Sequence, residues 1–253
     1  MILDMFRLDG KVAIITGGSR GLGLVFAEAL AQAGADIVAV QNEEDVSELK
    51  LKVEGAGKKV VTLLEDLRDD SSAQRTLQTA LDTFGHVDIL VNNAGIQRRH
   101  PPEDFPIEEF DEVLAINLRA VWVYSQTIGR QMLKQGYGKI INIASMQSFQ
   151  GGITIPAYAA AKHGVAGLTK ALCSDWAKKG ININGIAPGY MDTAMTAALR
   201  ADPVRSRQIL DRIPAGRWGQ PSDLAGACVY LASPASDYVN GQLIVVDGGW
   251  MVR

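Results

Sequence analysis

Several side chains of this 253-residue sequence could do chemistry by type and spacing. Tyr158 and Lys162 stand four apart in Tyr-Ala-Ala-Ala-Lys. A tyrosine hydroxyl titrates near ~10, too high for proton transfer at neutral pH. A neighbouring ammonium favours the phenolate and lowers that value. On a helix, residues four apart share one face, so the lysine can act on the phenol. Such a pair would move a proton to or from an alcohol or carbonyl oxygen. The same spacing is commonplace on solvated helices, so its meaning depends on its surroundings. Ser145 closes a strand-like run upstream.

Two further groups point to a nucleotide and an anion. Thr16-Gly17-Gly18-Ser19-Arg20-Gly21-Leu22-Gly23 follows a strand and opens a helix. Glycines let the backbone approach a pyrophosphate, and the helix start offers free N–H groups and a positive dipole end. The Gly-x3-Gly-x-Gly spacing in this context predicts nucleotide binding. The strand after it ends at Gln41, followed by Asn42, Glu43, Glu44 and Asp45. The residue at that place meets the ribose 2′-OH in dinucleotide folds. Three acids and no nearby Lys or Arg favour NAD, with NADP as the alternative. Asn92-Asn93-Ala94-Gly95 suits a tight turn at another strand end, beneath a cofactor. Gln97-Arg98-Arg99-His100 comes next, where substrate lies in open α/β sheets. Either arginine could fork onto a carboxylate. Gln147 and Gln150 could bond hydroxyls of the same ligand, and Trp250 or Arg253 could complete the pocket. His100 reads as a surface residue.

The elements that must position these residues alternate. Runs at 11–16, 36–41, 59–64, 87–92, 139–145, 181–187 and 242–247 read as strands, several almost wholly apolar, as in a parallel sheet covered on both faces. Helix-like stretches begin near Gly21, Asp70, Ile107, Pro156 and Pro221, and many stop at glycine: Gly34, Gly85, Gly136, Gly180. The sequence predicts a single α/β domain over 1–253: a Rossmann-type, doubly wound, parallel seven-stranded sheet with helices on both faces. Residues 188–220 interrupt the alternation with one or two short helices and read as a substrate lid.

Composition removes other functions. Lys+Arg is 25 and Asp+Glu is 28, so no domain-wide basic field awaits nucleic acid or anionic lipid. No apolar run reaches membrane-spanning length, and no secretory signal is read at the start. Cys173 and Cys228 lie far apart and make no ligand spacing with the three histidines, so no metal site is expected. They read as reduced core thiols of a cytoplasmic protein.

Taken together and in order, these motifs resemble the short-chain dehydrogenase/reductase family over practically the whole chain. Asn117 in VLAINLRAVWVY, Pro188-Gly189 with Thr193, and Asp247-Gly248-Gly249 extend the likeness. The resemblance implies an NAD(P)-dependent enzyme interconverting a secondary alcohol and a ketone. Tyr158 would be the acid–base. Lys162 would lower its pKa and hold the nicotinamide ribose. Ser145 would bond the substrate oxygen, and Asn117 would support a proton relay. Gly17, Ser19, Arg20, Gly21, Leu22, Gly23, Gln41, Asn42, Asp66, Leu67, Asn93, Ala94, Gly95, Pro188, Gly189, Met191 and Thr193 would line the cofactor. Arginine at position 20 often accompanies NADP in the family, against the acids after Gln41. Longer tracts, such as IINIASMQSFQGGITIPAYAAAKHGVAGLTK, resemble a subgroup acting on deoxyketo-gluconate-type sugar acids. The family also implies a homotetramer. Rival readings are a 3-oxoacyl-thioester reductase, a general carbonyl reductase, and a cofactor-binding regulator without turnover.

Overall fold

The computed structural model describes residues 1–252; Arg253, a candidate for the pocket, lies outside the described residues. Seven strands are β1 Val12–Thr16, β2 Asp36–Gln41, β3 Val60–Leu64, β4 Ile89–Asn92, β5 Gly138–Ile143, β6 Ile181–Pro188 and β7 Leu243–Val246. They form one sheet in the order β3-β2-β1-β4-β5-β6-β7, and every pairing is parallel. Each residue of β1, β4 and β5 is buried, which explains their unbroken apolar character.

The helices are α1 Gly21–Ala33, α2 Ser47–Gly55, α3 Ser71–Phe84, α4 Ile107–Leu114, α5 Ala120–Gln135, α6 Pro156–Trp176, α7 Ala197–Ala201, α8 Pro203–Arg212 and α9 Ala225–Ala232. One core lies under α1, α2 and α9, through Phe26, Leu30, Leu49, Val53, Cys228 and Leu231. The other lies under α3, α5 and α6, through Leu77, Ala80, Tyr124, Ile128, Met132 and Leu172. The doubly wound sheet read from the sequence is therefore the observed one. No described helix is long and apolar enough to cross a membrane.

Two elements differ from the sequence reading. It placed no helix between β2 and β3, where α2 forms. Only Leu49 and Val53 of α2 are buried, and Leu51 is exposed, so its apolar face is one residue wide. The helix expected to run unbroken from Ile107 is interrupted by a π turn over Ala115–Arg119. Such turns concentrate at functional sites, and this one contains the fully buried Asn117.

The chain winds from β1 to β2 and β3 on one side, then crosses to β4 on the other. The carboxyl ends of β1 and β4 thus flank the crevice where open α/β sheets take ligands.

Candidate active site

The crevice is built by a side-chain clamp between β1 and β4. Thr16 Oγ1 accepts the backbone N–H groups of Asn93 (3.0 Å) and Ala94 (3.1 Å). Asn93 Nδ2 donates back to Thr16 O (2.9 Å) and Gly17 O (3.0 Å). The Asn-Asn-Ala-Gly turn therefore holds the glycine loop. Gly17 sits at φ +66°, where a side chain is strained. A Cβ on Gly23 would fall 1.9 Å from Gly17 O, so helix and loop approach as closely as backbone allows. Ser19 and Leu22 are half-buried, while Arg20 and Gly21 are exposed at the rim.

Asn92 joins the neighbouring elements. Its Nδ2 donates to Ser125 Oγ of α5 (3.0 Å) and to Asn142 Oδ1 of β5 (2.9 Å). Asn142 Nδ2 donates to Thr169 Oγ1 of α6 (2.9 Å). Asn117 spans Ile96 with both ends of its amide. Its Oδ1 accepts Ile96 N–H and its Nδ2 donates to Ile96 O, each at 2.8 Å.

β5 and the first half of α6 bring the candidate catalytic residues together. Lys162 is buried, and its Nζ donates to Ile143 O at 2.6 Å. Ser148 Oγ donates to the backbone carbonyl of Lys162 at 2.7 Å, tying the turn after Ser145 to the helix. Lys162 Nζ lies 5.6 Å from the centroid of the Tyr158 ring. Burial pulls the Lys162 ammonium down to about 8. Burial also raises the Tyr158 phenol, opposed by the hydrogen-bonding pull of Ser145 and the charge of Arg99. The sequence pointed to Lys162 as the group that lowers Tyr158. In the structure one donor of that ammonium goes to Ile143 O, and the lowering influences on the phenol come from Ser145 and Arg99.

Ser145 Oγ donates to Gln147 Oε1 at 2.8 Å and accepts Gln147 N–H at 3.2 Å. Gln147 is buried and thus orients Ser145, a role its sequence position did not reveal. Gln150 is half-buried. The two arginines diverge. Arg98 meets Glu112 at 2.8 Å and Glu109 at 3.7 Å, both on α4. Arg99 donates to the neutral Gln97 Oε1 at 2.7 Å. Arg99 is exposed overall, but partial desolvation of its guanidinium lowers the pKa, with Tyr190 and Tyr158 raising it and Arg205 lowering it. Arg99 is therefore the one in electrostatic reach of Tyr158. His100 Nε2 lies 2.9 Å from Glu109 Oε2, and its backbone N–H donates to Thr154 O at 3.1 Å, fixing the loop that carries Arg99.

On the far side, Gly189 N–H donates to Val246 O (3.0 Å). Met191 is buried and bridges to Gly219, and Thr193 begins the turn before α7. Met146, Ile209, Ile213 and Trp250 form a small apolar cluster, with Tyr190, Leu199, Trp218 and Met251 against it. This roots α8 beside Ser145.

At the end of β2, Gln41 is buried with Oε1 unpartnered. Asn42 is exposed, and Arg20 pairs with Glu43 at 2.6 Å. Asp66 is exposed and engaged by Arg68, with Leu67 half-buried beside it. A dinucleotide fits this crevice. The glycines leave room for a pyrophosphate, Gln41 Oε1 lacks a partner, and Lys162 has three donors but one protein acceptor. Among the described residues no cluster could hold a metal ion.

Comparison with known proteins agrees with this geometry. The family model described as short chain dehydrogenase matches residues 11–204. The chain is 54% identical over 254 residues to a 2-dehydro-3-deoxy-D-gluconate 5-dehydrogenase of Dickeya dadantii (strain 3937), covering 100% of each. It is 52% identical over 254 residues to the enzyme of that name in Escherichia coli (strain K12), again covering 100% of each. Among solved structures, a gluconate 5-dehydrogenase from Burkholderia cenocepacia J2315 in complex with NADP and tartrate superposes with a TM-score of 0.95. Identity to it is 43%, and 100% of each chain is covered.

The buried Lys162 predicts a pH dependence of stability without ligands. Its folded pKa, about 8, lies below the ordinary 10.5. Between those values the unfolded chain holds more protons, so this group makes stability rise with pH; below 8 its full burial cost is present. Lys162→Met removes that slope. Urea unfolding of both proteins from pH 7.5 to 10 should show the variant losing stability relative to the parent by up to about 3 kcal/mol. Parallel pH profiles would refute it.

Proposed function

This chain belongs to the short-chain dehydrogenase/reductase family, and we propose that it interconverts a secondary alcohol and a ketone on a deoxyketo-gluconate-type sugar acid. The observation that carries this reading is Arg99: a guanidinium without a carboxylate partner among the described residues, in electrostatic reach of the Tyr158 phenol. A neutral ketone has no use for it. The sugar-acid names of the Dickeya and Escherichia relatives support the same substrate class.

When bound, the nicotinamide dinucleotide supplies the hydride acceptor or donor. The glycine loop and the Asn93–Gly95 turn would hold its phosphates, Gln41 and Asp66 with Leu67 the adenosine side, and Gly189, Met191 and Thr193 the carboxamide side. Lys162 would direct its free donors to the ribose. Tyr158 takes the hydroxyl proton in oxidation and returns it in reduction. Ser145, held by Gln147, aligns the substrate oxygen. Asn117 leaves no amide group of its own free in the structure, since both bond Ile96. It shapes the π turn beside the site and would support a proton relay from there. Residues 188–220 would act as the substrate lid, supported by the α8 cluster against Met146.

Tyr158→Phe keeps the ring and loses the proton carrier. Turnover should fall about 10²-fold or more, while cofactor binding by fluorescence titration persists. Arg99→Ala should raise KM for 2-dehydro-3-deoxy-D-gluconate about tenfold or more relative to uncharged ketones, as loss of a charge-assisted hydrogen bond implies. Arg98→Ala should not, because Glu112 and Glu109 already hold Arg98. Equal use of acids and uncharged ketones by the parent would leave a general carbonyl reductase.

We place NAD ahead of NADP. Glu43 engages Arg20, and Glu44 and Asp45 beside it repel a 2′-phosphate. The Burkholderia relative was solved with NADP, so the two cofactors need direct comparison. A higher kcat/KM with NAD is expected, and a tenfold advantage for NADP would reverse the assignment.

The assembly we propose is a homotetramer in the cytoplasm. Free thiols at Cys173 and Cys228 suit a reducing compartment. Leu114, Ala115, Leu118, Trp122, Gly164 and Leu168 line an apolar groove of about 520 Å³ on the outer faces of α4, α5 and α6. Trp122 is 38% exposed there. A second copy of the chain would cover it. Light scattering should give four chains; a stable monomer at micromolar concentration would exclude the assembly.

A further inference from the structure

The lid carries a cation that the mechanism above does not use. Arg205 lies on α8, four residues before Ile209, so the two share a helix face. That face points inward. Ile209 is 1% exposed and packs with Met146, the neighbour of Ser145, and with Ile213 and Trp250. Arg205 itself is half-buried.

Among the described residues Arg205 has no charge partner. Its Nη1 donates to the neutral Gln208 Oε1 at 3.0 Å. Asp202 caps α8 by accepting the backbone N–H groups of Val204 and Arg205, so its carboxylate serves the helix end. The other lid-region arginines are engaged: Arg200 meets Asp192, Arg207 meets Asp211, Arg217 meets Asp223, and Arg212 lies over the Trp250 ring, 4.1 Å from its centroid. Among the described residues Arg205 meets no carboxylate, and neither does Arg99. The two are nevertheless close enough for the charge of Arg205 to act on Arg99. Like charges repel, and both are relieved by one anion placed between them.

We propose that Arg205 of the lid is a specificity-determining residue that closes with Arg99 on the substrate carboxylate. A carboxylate has two oxygens, so each guanidinium can take one. The anion would then bridge the loop after β4 and helix α8, joining the catalytic floor to the lid. This inference rests on the sugar-acid reading and adds a second ligand from a separate element.

The test compares the parent with Arg205→Gln, Arg205→Lys and the double variant Arg99→Ala/Arg205→Gln. The readout is the ratio of kcat/KM for 2-dehydro-3-deoxy-D-gluconate to that for uncharged ketones of similar size. Binding of D-gluconate is followed alongside by tryptophan fluorescence, since Trp218 and Trp250 border the lid. Arg205→Gln should lower the ratio about tenfold or more, chiefly through KM for the acid, and weaken D-gluconate binding. Arg205→Lys should recover part of the loss by restoring a point charge without the fork. The double variant should lose less than the product of the single effects, because both residues hold one group.

Retention of the parent's ratio by Arg205→Gln, while the parent prefers acids, overturns the clamp and leaves the sugar-acid reading standing. Equal loss on acids and ketones, with a lowered melting temperature, marks Arg205 as structural and also overturns it. A parent without preference for acids removes the reading and the clamp together.

Discussion

Lys162 buries an ammonium with one protein acceptor, the Ile143 carbonyl, and no carboxylate among the described residues. Burial of an unpaired charge is costly, and the fall of its pKa to about 8 is the sign of that cost. The surrounding architecture holds the lysine there regardless. Ile143 ends a strand paired on both sides, and the Lys162 carbonyl is tied by Ser148 to the turn that carries Ser145. The lysine, the serine and the tyrosine thus share one rigid corner between β5 and α6. Two of its three donors are left without a protein acceptor among the described residues.

Further buried polar contacts extend this corner across the sheet. Asn92, Ser125, Asn142 and Thr169 bond in series from α5 through β4 and β5 to α6. Satisfied buried networks fix a unique packing, whereas a missing member would leave its partners stranded. The neighbouring Thr16–Asn93 clamp does the same for the glycine loop. Asn117 continues it by reading both backbone groups of Ile96, just before the loop with Arg98 and Arg99. The glycine loop, the corner of Ser145, Tyr158 and Lys162, and the loop of Arg98 and Arg99 are therefore positioned by side-chain amides that run along the carboxyl ends of the central strands.

Strand content was legible in the sequence because strands covered on both faces are written as apolar runs. The glycine loop, Ser145, Tyr158 and Lys162 were legible because each stands at a strand end or helix start. Helix α2 was not, since two buried side chains, Leu49 and Val53, make too thin a stripe among charged neighbours. The π turn at Asn117 was hidden because its signal is one polar residue in an apolar stretch, which an ordinary helix also tolerates. Nor could the sequence separate Arg98 from Arg99. Their divergence depends on Glu109 and Glu112, three apart on α4 and turned toward Arg98. Nor did the sequence show that the carbonyl oxygen of Gln147, read as a ligand for sugar hydroxyls, accepts the Ser145 hydroxyl. Such assignments depend on long-range packing, which local patterns do not encode.

The electrostatics of Tyr158 link the substrate side to the proton chemistry. Burial raises the phenol, and the Arg99 charge opposes this. An anion seated on Arg99 neutralises that opposing charge, leaving burial and Ser145 to act. The phenol is then held more firmly in its protonated form. A protonated phenol is the form that can donate to a ketone oxygen, so a bound carboxylate would prepare Tyr158 as an acid. Oxidation of the alcohol needs the opposite, a phenol able to accept a proton. On the proposed reading the Lys162 ammonium, whose pKa of about 8 lies within about a unit of neutral pH, would supply that counterweight once ligands hold it charged. Ligands that bond its ammonium favour the charged form. On the proposed reading the cofactor side of the site thus promotes the base, the substrate carboxylate promotes the acid, and Tyr158 stands between them.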